Sequence, residues 1–127
     1  MMTTKEQAIE LVKRYTEVRS LDELDDIFTP DFINHSSAGT QQGIDKLKEF
    51  ISSVGDMFLD VKVTIDTIFA DKRGDGEPWV GALVTLRGTK ADNKQAFEMQ
   101  ELWVFRISEG KIAERWFVVN RPGGLFG

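Results

Sequence analysis

Two side chains in this sequence join a titratable group to a setting that could put it to work. His35 is the only histidine. An imidazole titrates near neutral pH, which suits general acid–base catalysis. It lies at the end of a short extended piece, Asp31 to His35, and its structural alternative is a loop histidine that holds a turn through backbone hydrogen bonds. Glu101 is the sharper anomaly. Strand alternation puts Phe97, Met99, Glu101, Trp103, Phe105 and Ile107 on one face. A carboxylate among aromatic rings is costly unless it is paired or protonated. Burial pushes any carboxyl towards its protonated form, and that makes a usable acid or base. Two plainer readings stand beside it: an ion pair with Arg87 or Arg115, or a bulge that turns Glu101 to the other face.

These residues need a scaffold, and the hydrophobic period supplies one. Thr3 or Thr4 stands ahead of Glu6 and Gln7 at capping-box spacing. Ala8, Leu11, Val12, Tyr15 and Val18 then form one apolar stripe, predicting a helix over about 4–19. Ser20 and Glu23 form a second capping box, opening a short helix over about 21–28 that Pro30 stops. Ser36 to Gln42 is small and polar and reads as a loop. A third helix runs over about 43–55, with Gly55 as its cap.

After Gly55 the period falls to two. Leu59, Val61, Val63, Ile65 and Phe69 predict one face of a strand over about 59–70. Further strands follow at about 79–89, 95–107 and 111–120, with Glu109-Gly110 as a tight hairpin turn. Asp71 to Pro78 and Lys90 to Lys94 are polar turns, and Arg121 to Gly127 is a Pro- and Gly-bearing tail. Three helices followed by an antiparallel meander make one α+β domain over 1–127, with the helices covering the sheet's concave side.

Composition removes several function classes. The chain has 127 residues, 16 basic and 21 acidic, for a net charge of −5. Nucleic-acid binders and polybasic membrane contacts carry the opposite balance. No cysteine is present, so disulfides, thiolate metal sites and thiol nucleophiles are excluded. One histidine cannot build a multi-histidine metal centre, and no acidic cluster has calcium-loop spacing. The beginning MMTTKEQAIE lacks an apolar signal region, and no run is long enough to span a membrane, so a cytoplasmic protein is expected.

Both faces of two strands are apolar. Val80, Ala82, Val84 and Leu86 oppose Trp79 and Leu83, while Trp116 and Val118 oppose Phe117 and Val119. A sheet with helices on one side only should be polar on the other. A homodimer packed through that face is therefore expected.

Taken in order, three stretches resemble the SnoaL-like polyketide cyclase group of the nuclear-transport-factor-2-like superfamily. The first is Phe32-Ile33-Asn34-His35 followed by Gly43-Ile44. The second is Val84-Thr85-Leu86-Arg87-Gly88-Thr89. The third is Val104-Phe105-Arg106-Ile107 with Glu109-Gly110-Lys111-Ile112 and Glu114-Arg115-Trp116. The resemblance implies a cone-shaped fold with a deep apolar pocket between curved sheet and helices, and a cofactor-independent chemistry. In the cyclases an Asp four residues after a Trp acts as acid/base; here the Trp is Trp116 and the later position holds Asn120, which cannot take a proton at neutral pH. In ketosteroid isomerases a carboxylic acid two residues before the Phe-Arg pair donates to an oxyanion; before Phe105-Arg106 that position is Trp103, with Glu101 next on the same face. Those enzymes also use a Tyr of the first helix, and Tyr15 lies on the first helix here.

Two functions follow. In one, a small enzyme binds an apolar carbonyl-type or polycyclic ligand and moves a proton through His35 or Glu101, with Tyr15 and Asn120 donating hydrogen bonds to a developing oxyanion. Trp103, Trp116, Phe97, Met99, Phe58 and Arg87 are the candidate ligand-binding residues; for the apolar ones plain core is the commoner role, and the two overlap where a pocket wall is continuous with the core. In the other, the same domain is a non-catalytic small-molecule binder or dimeric scaffold.

Overall fold

A computed structural model describes residues 3–120 apart from 38, 73 and 75; the Arg121 to Gly127 tail lies outside the described residues. The first helix, α1 (Lys5–Thr16), opens with a reciprocal box. Gln7 N–H donates to the Thr4 hydroxyl at 3.1 Å and Thr4 N–H donates to the Gln7 side chain at 2.9 Å, satisfying two donors that the helix itself leaves orphaned. Ala8 and Val12 are wholly buried beneath it. Ser20 makes no such cap. Leu21–Glu23 is a single 3₁₀ turn, followed by α2 (Leu24–Ile27), whose Leu24 and Ile27 enter the core. The third helix, α3 (Ile44–Met57), runs straight through Gly55 and ends where Phe58 turns extended. Among the described residues no helix is long and apolar enough to cross a membrane.

Six strands form one sheet in the order β2-β1-β6-β5-β4-β3. They are β1 (Phe28–Ser36), β2 (Gly39–Gln42), β3 (Phe58–Lys72), β4 (Pro78–Lys90), β5 (Ala96–Ser108) and β6 (Lys111–Asn120). All pairings are antiparallel except β1 with β6, which is parallel. β1 extends well beyond the expected Asp31 to His35 and carries Pro30. The β1–β6 register shifts between Phe28 and Ile33, so Pro30 falls where ladder bonds are interrupted, as a residue without an N–H requires. The four residues of β2 fill the expected loop; all are exposed, so no apolar alternation marks them.

β3 departs from the simple alternation. Its register shifts between Ile65 and Thr67. Ile65 faces Val84, but past the bulge Ile68 faces Ala82 and Ala70 faces Val80. One extra residue therefore exchanges the faces. Ile68 and Ala70 join the core, and Phe69, expected beside Ile65, lies on the outer side with 58% of its surface exposed. It rests across Gly81, where a Cβ would stand 2.4 Å from its ring.

The β5–β6 turn is as tight as its residues predict. Glu109 and Gly110 both have positive φ, 52° and 78°, the arrangement of a two-residue hairpin. Glu77 clamps it. Its carboxylate accepts from the Thr3 hydroxyl at 2.7 Å and from the Glu109 backbone N–H. Burial pushes this carboxyl up, but the hydrogen bonds from Thr3 and Glu109 outweigh it and hold the group below its ordinary value. A depressed folded-state value stabilises the fold above the ordinary 4.5 and loses that contribution as the pH falls through and below it. Glu77→Gln is expected to cost about 1–2 kcal/mol at neutral pH, with the gap closing in acid. Urea denaturation of both proteins at the two pH values reads this; an equal gap at both would refute it.

Candidate functional site

The inner face of the sheet and the helices enclose a cavity of about 400 Å³, at the small end of ligand pockets. Its walls are mostly aliphatic and aromatic, with Leu24, Phe50, Ile51, Val63 and Leu86 among them. Four side chains bring polar chemistry to the lining: Tyr15, Thr16, Glu101 and Arg115.

Tyr15 sits in the last turn of α1, where the stripe of apolar residues faces the sheet. Phe28 meets its ring edge-on at 5.2 Å and Trp103 lies at 5.6 Å. Its hydroxyl accepts from Arg115 Nη1 at 2.8 Å. The phenolic hydrogen is thereby left for another acceptor. Arg115, on β6, is only 3% exposed. Its Nε donates to Asn34 Oδ1 at 3.0 Å, and its guanidinium carbon stands 4.7 Å from the centre of the Phe117 ring. No carboxylate of the described residues forms an ion pair with it.

Glu101 also lines the cavity. The β4–β5 register is unbroken through it, with Val84 opposite, so no bulge turns it away. Trp103 Nε1 donates to Glu101 Oε1 at 2.8 Å. Neither suggested arginine partner engages it: Arg115 is held as described, and Arg87 pairs with Glu98 at 3.4 Å. The carboxylate and the guanidinium stand at two places on one wall, with the Trp103–Phe117 row between them.

The other sequence candidates fall elsewhere. Phe32 and Asn34 face inward on β1, so alternation sends His35 outward. His35 Nε2 meets Glu114 Oε2 at 2.5 Å, and Nδ1 meets Thr40 Oγ1 at 2.9 Å. Its ring stacks on Trp116 at 4.8 Å, and Trp116 stacks on Trp79 at 5.4 Å. The expectation of His35 as a pocket base and Trp116 as a pocket wall is therefore corrected: both belong to the outer face. Asn120 is likewise outside, donating to Gln100 Oε1 at 3.2 Å, and Arg87 is exposed there with Glu98. Phe58 lines the cavity; Phe97 packs on Phe58 at 4.7 Å without joining the lining. Met99 shares the inner face, opposite Leu86, and also stays outside the lining.

Glu114 shows what the outer cluster does. Burial pushes its carboxyl up, but hydrogen bonds from His35 and Arg106 outweigh that and hold it below its ordinary value. Arg106 Nε donates to the second oxygen at 2.9 Å. This is a strand-tying network joining β1, β5 and β6. His35→Ala is expected to leave ligand affinity in the cavity within about twofold while costing about 1–2 kcal/mol of stability. Calorimetric titration and thermal melting check the two halves; a tenfold loss of affinity with an unchanged melt would reverse the assignment.

Arg115 and Asn34 are the site residues that the sequence reading passed over as a pair. The signal was present, since Arg115 lies two residues before Phe117 on the same strand face. Among the described residues no group of three or more His, Asp or Glu side chains is placed to hold a metal ion.

A family model described as SnoaL-like polyketide cyclase matches residues 9–125. Solved structures share the fold. One, from Jannaschia sp., is described as a SnoaL-like polyketide cyclase; it is 17% identical, with a TM-score of 0.80 over 94% of this chain and 90% of its own. TsrD from Streptomyces laurentii is 17% identical, with a TM-score of 0.77 over 93% and 91%. A protein of Catenulispora acidiphila with a ketosteroid isomerase-like fold, in complex with trimethylamine, is 19% identical, with a TM-score of 0.69 over 91% and 86%. At these identities the likeness concerns the fold, an α+β arrangement of three helices on a curved six-stranded sheet. Among curated proteins no sequence matches.

Proposed function

The chain belongs to the SnoaL-like polyketide cyclase family, and from that premise we propose that it is a cofactor-independent enzyme that moves a proton on an apolar carbonyl compound held in the cavity. The observation that supports this is that Glu101 and Arg115 of the sheet and Tyr15 of α1 line one apolar cavity. Glu101 takes the proton from the carbon next to the carbonyl. The electron pair of the broken C–H bond moves onto the carbonyl oxygen. Tyr15 donates its free phenolic hydrogen to that oxygen, and the Arg115 guanidinium at 2.8 Å from the phenol oxygen strengthens it as a donor. The indole of Trp103 orients the carboxylate by its 2.8 Å hydrogen bond. Return of the proton from Glu101 to a different carbon isomerises the ligand. Alternatively the enolate carbon attacks a second carbonyl, whose π electron pair moves to its oxygen, and Glu101 returns the proton to that oxygen, giving a cyclic alcohol.

Deuterium exchange tests this directly. Aryl and alicyclic ketones incubated with the protein in heavy water should lose their α-proton NMR signals faster than in buffer. Saturable binding with exchange no faster than buffer would leave the non-catalytic binder as the better reading.

The reading takes the chain as a cytoplasmic homodimer. Phe69, Leu102 and Val118 leave 58%, 43% and 63% of their surfaces exposed on the outer face, and a second copy would cover them. Sedimentation equilibrium distinguishes one copy from two.

A further inference from the structure

We infer that the ligand of this cavity carries a carboxylate on an apolar body, and that Arg115 receives it. This rests on the cavity being the binding site, as proposed above, and adds the chemical class of what enters. An arginine is always charged in a protein. One that is 3% exposed needs compensation. Its hydrogen-bond partners here, Asn34 Oδ1 and the Tyr15 hydroxyl, are neutral. The faces of Phe117, Tyr15 and Trp103 at 4.7, 5.7 and 6.0 Å offset only part of a full charge. Glu114, the neighbouring carboxylate in sequence, faces the other way and is held by His35 and Arg106. The positive charge therefore stands in the cavity lining without an anion among the described residues.

The guanidinium geometry narrows the class. Nε and one Nη1 hydrogen are used. Among the described residues nothing takes the second Nη1 hydrogen or either Nη2 hydrogen, and a carboxylate is the anion whose two oxygens match such paired guanidinium donors. The apolar walls call for a hydrocarbon or aryl body. Glu101 does not oppose this at contact range. It faces Val119 across the β5–β6 ladder, whereas Arg115 faces Phe105, so the Trp103–Phe117 pair lies between them. A keto acid fits both ends: carboxylate on Arg115, and the carbon next to the ketone towards Glu101. The chain's net charge of −5 offers no general attraction for anions, so a preference for one would be local to this group.

Calorimetric titration with benzoylpropanoate and naphthoylpropanoate, each against its methyl ester, tests the inference. At least one acid should bind about tenfold or more tighter than its ester, a free-energy difference of about 1.4 kcal/mol. Arg115→Met should bring that ratio close to one, and Arg115→Lys should restore only part of it. Esters that equal their acids, an acid preference unchanged in Arg115→Met, or no binding by either acid would each overturn it. If Arg115→Met does not fold, the wild-type acid-to-ester ratio decides alone. The proton-transfer reading fails separately: acid preference without α-proton exchange retains the ligand class and removes the enzyme, while exchange of neutral ketones without acid preference does the reverse.

Discussion

Replacing Glu101 by Gln should slow α-proton exchange by about 10²–10⁴-fold while leaving ligand affinity within a few-fold. The substitution is nearly isosteric. Gln keeps an oxygen that can accept from Trp103 Nε1, the partner now at 2.8 Å, so the side chain stays in place. What disappears is the lone pair able to take a proton, because an amide is not a base at neutral pH. The split between rate and affinity makes the test specific. A packing role would move the melting temperature, and a binding role would move the dissociation constant. Neither would lower the exchange rate alone. Exchange retained in Glu101→Gln at more than about a tenth of the wild-type rate would remove Glu101 as the base.

The legibility of this site follows from which face alternation could fix. The β4–β5 ladder is regular, so the spacing of Met99, Glu101 and Trp103 placed the carboxylate in the cavity wall without structural help. Tyr15 was equally readable, as part of a helical stripe. His35 was not. Its chemistry was plain, but its face depends on β1, whose register with β6 shifts before Ile33 and whose partner β2 carries no apolar residue. Nothing local therefore fixed the direction of the imidazole. Phe69 failed for the opposite reason: the pattern was clear and a bulge between Ile65 and Thr67 inverted it. Asn120 and Trp116 were set on the wrong face by carrying a spacing over from the family, while the alternation on β6 itself already put Arg115 and Phe117 together. Helix ends erred by a few residues, as fraying termini do, except at Ser20, where a capping pair in sequence gives a 3₁₀ turn with no side-chain cap.

Phe105→Ala tests how closely the core and the site are joined. Phe105 is wholly buried, opposite Val80 on one side and Arg115 on the other. Its ring meets Trp103 edge-on at 5.9 Å and Tyr15 at 6.3 Å. Removing a buried aromatic ring costs about 3–5 kcal/mol, the lost transfer energy plus the cavity left behind. Against a net stability of about 5–15 kcal/mol, the melting temperature should fall by about 10–25 °C. By contrast, Phe69→Ala removes a ring of similar size that is 58% exposed on the single chain, and should cost the fold of one chain under about 1 kcal/mol, any larger loss belonging to the contact with a second copy. Denaturant titration of the two variants makes the comparison. A loss below about 1.5 kcal/mol in Phe105→Ala would mean that the neighbours close over the gap, at the low end of what core truncations do. The same variant reaches the chemistry through Tyr15. That ring is positioned by Phe28, Trp103 and Phe105, and its hydroxyl is the atom that Arg115 and the ligand oxygen would share. Loosening it should lower the exchange rate at saturating ligand in the fraction that remains folded. The residue that stabilises the fold here also aims the donor, because the wall of the cavity is the surface of the core.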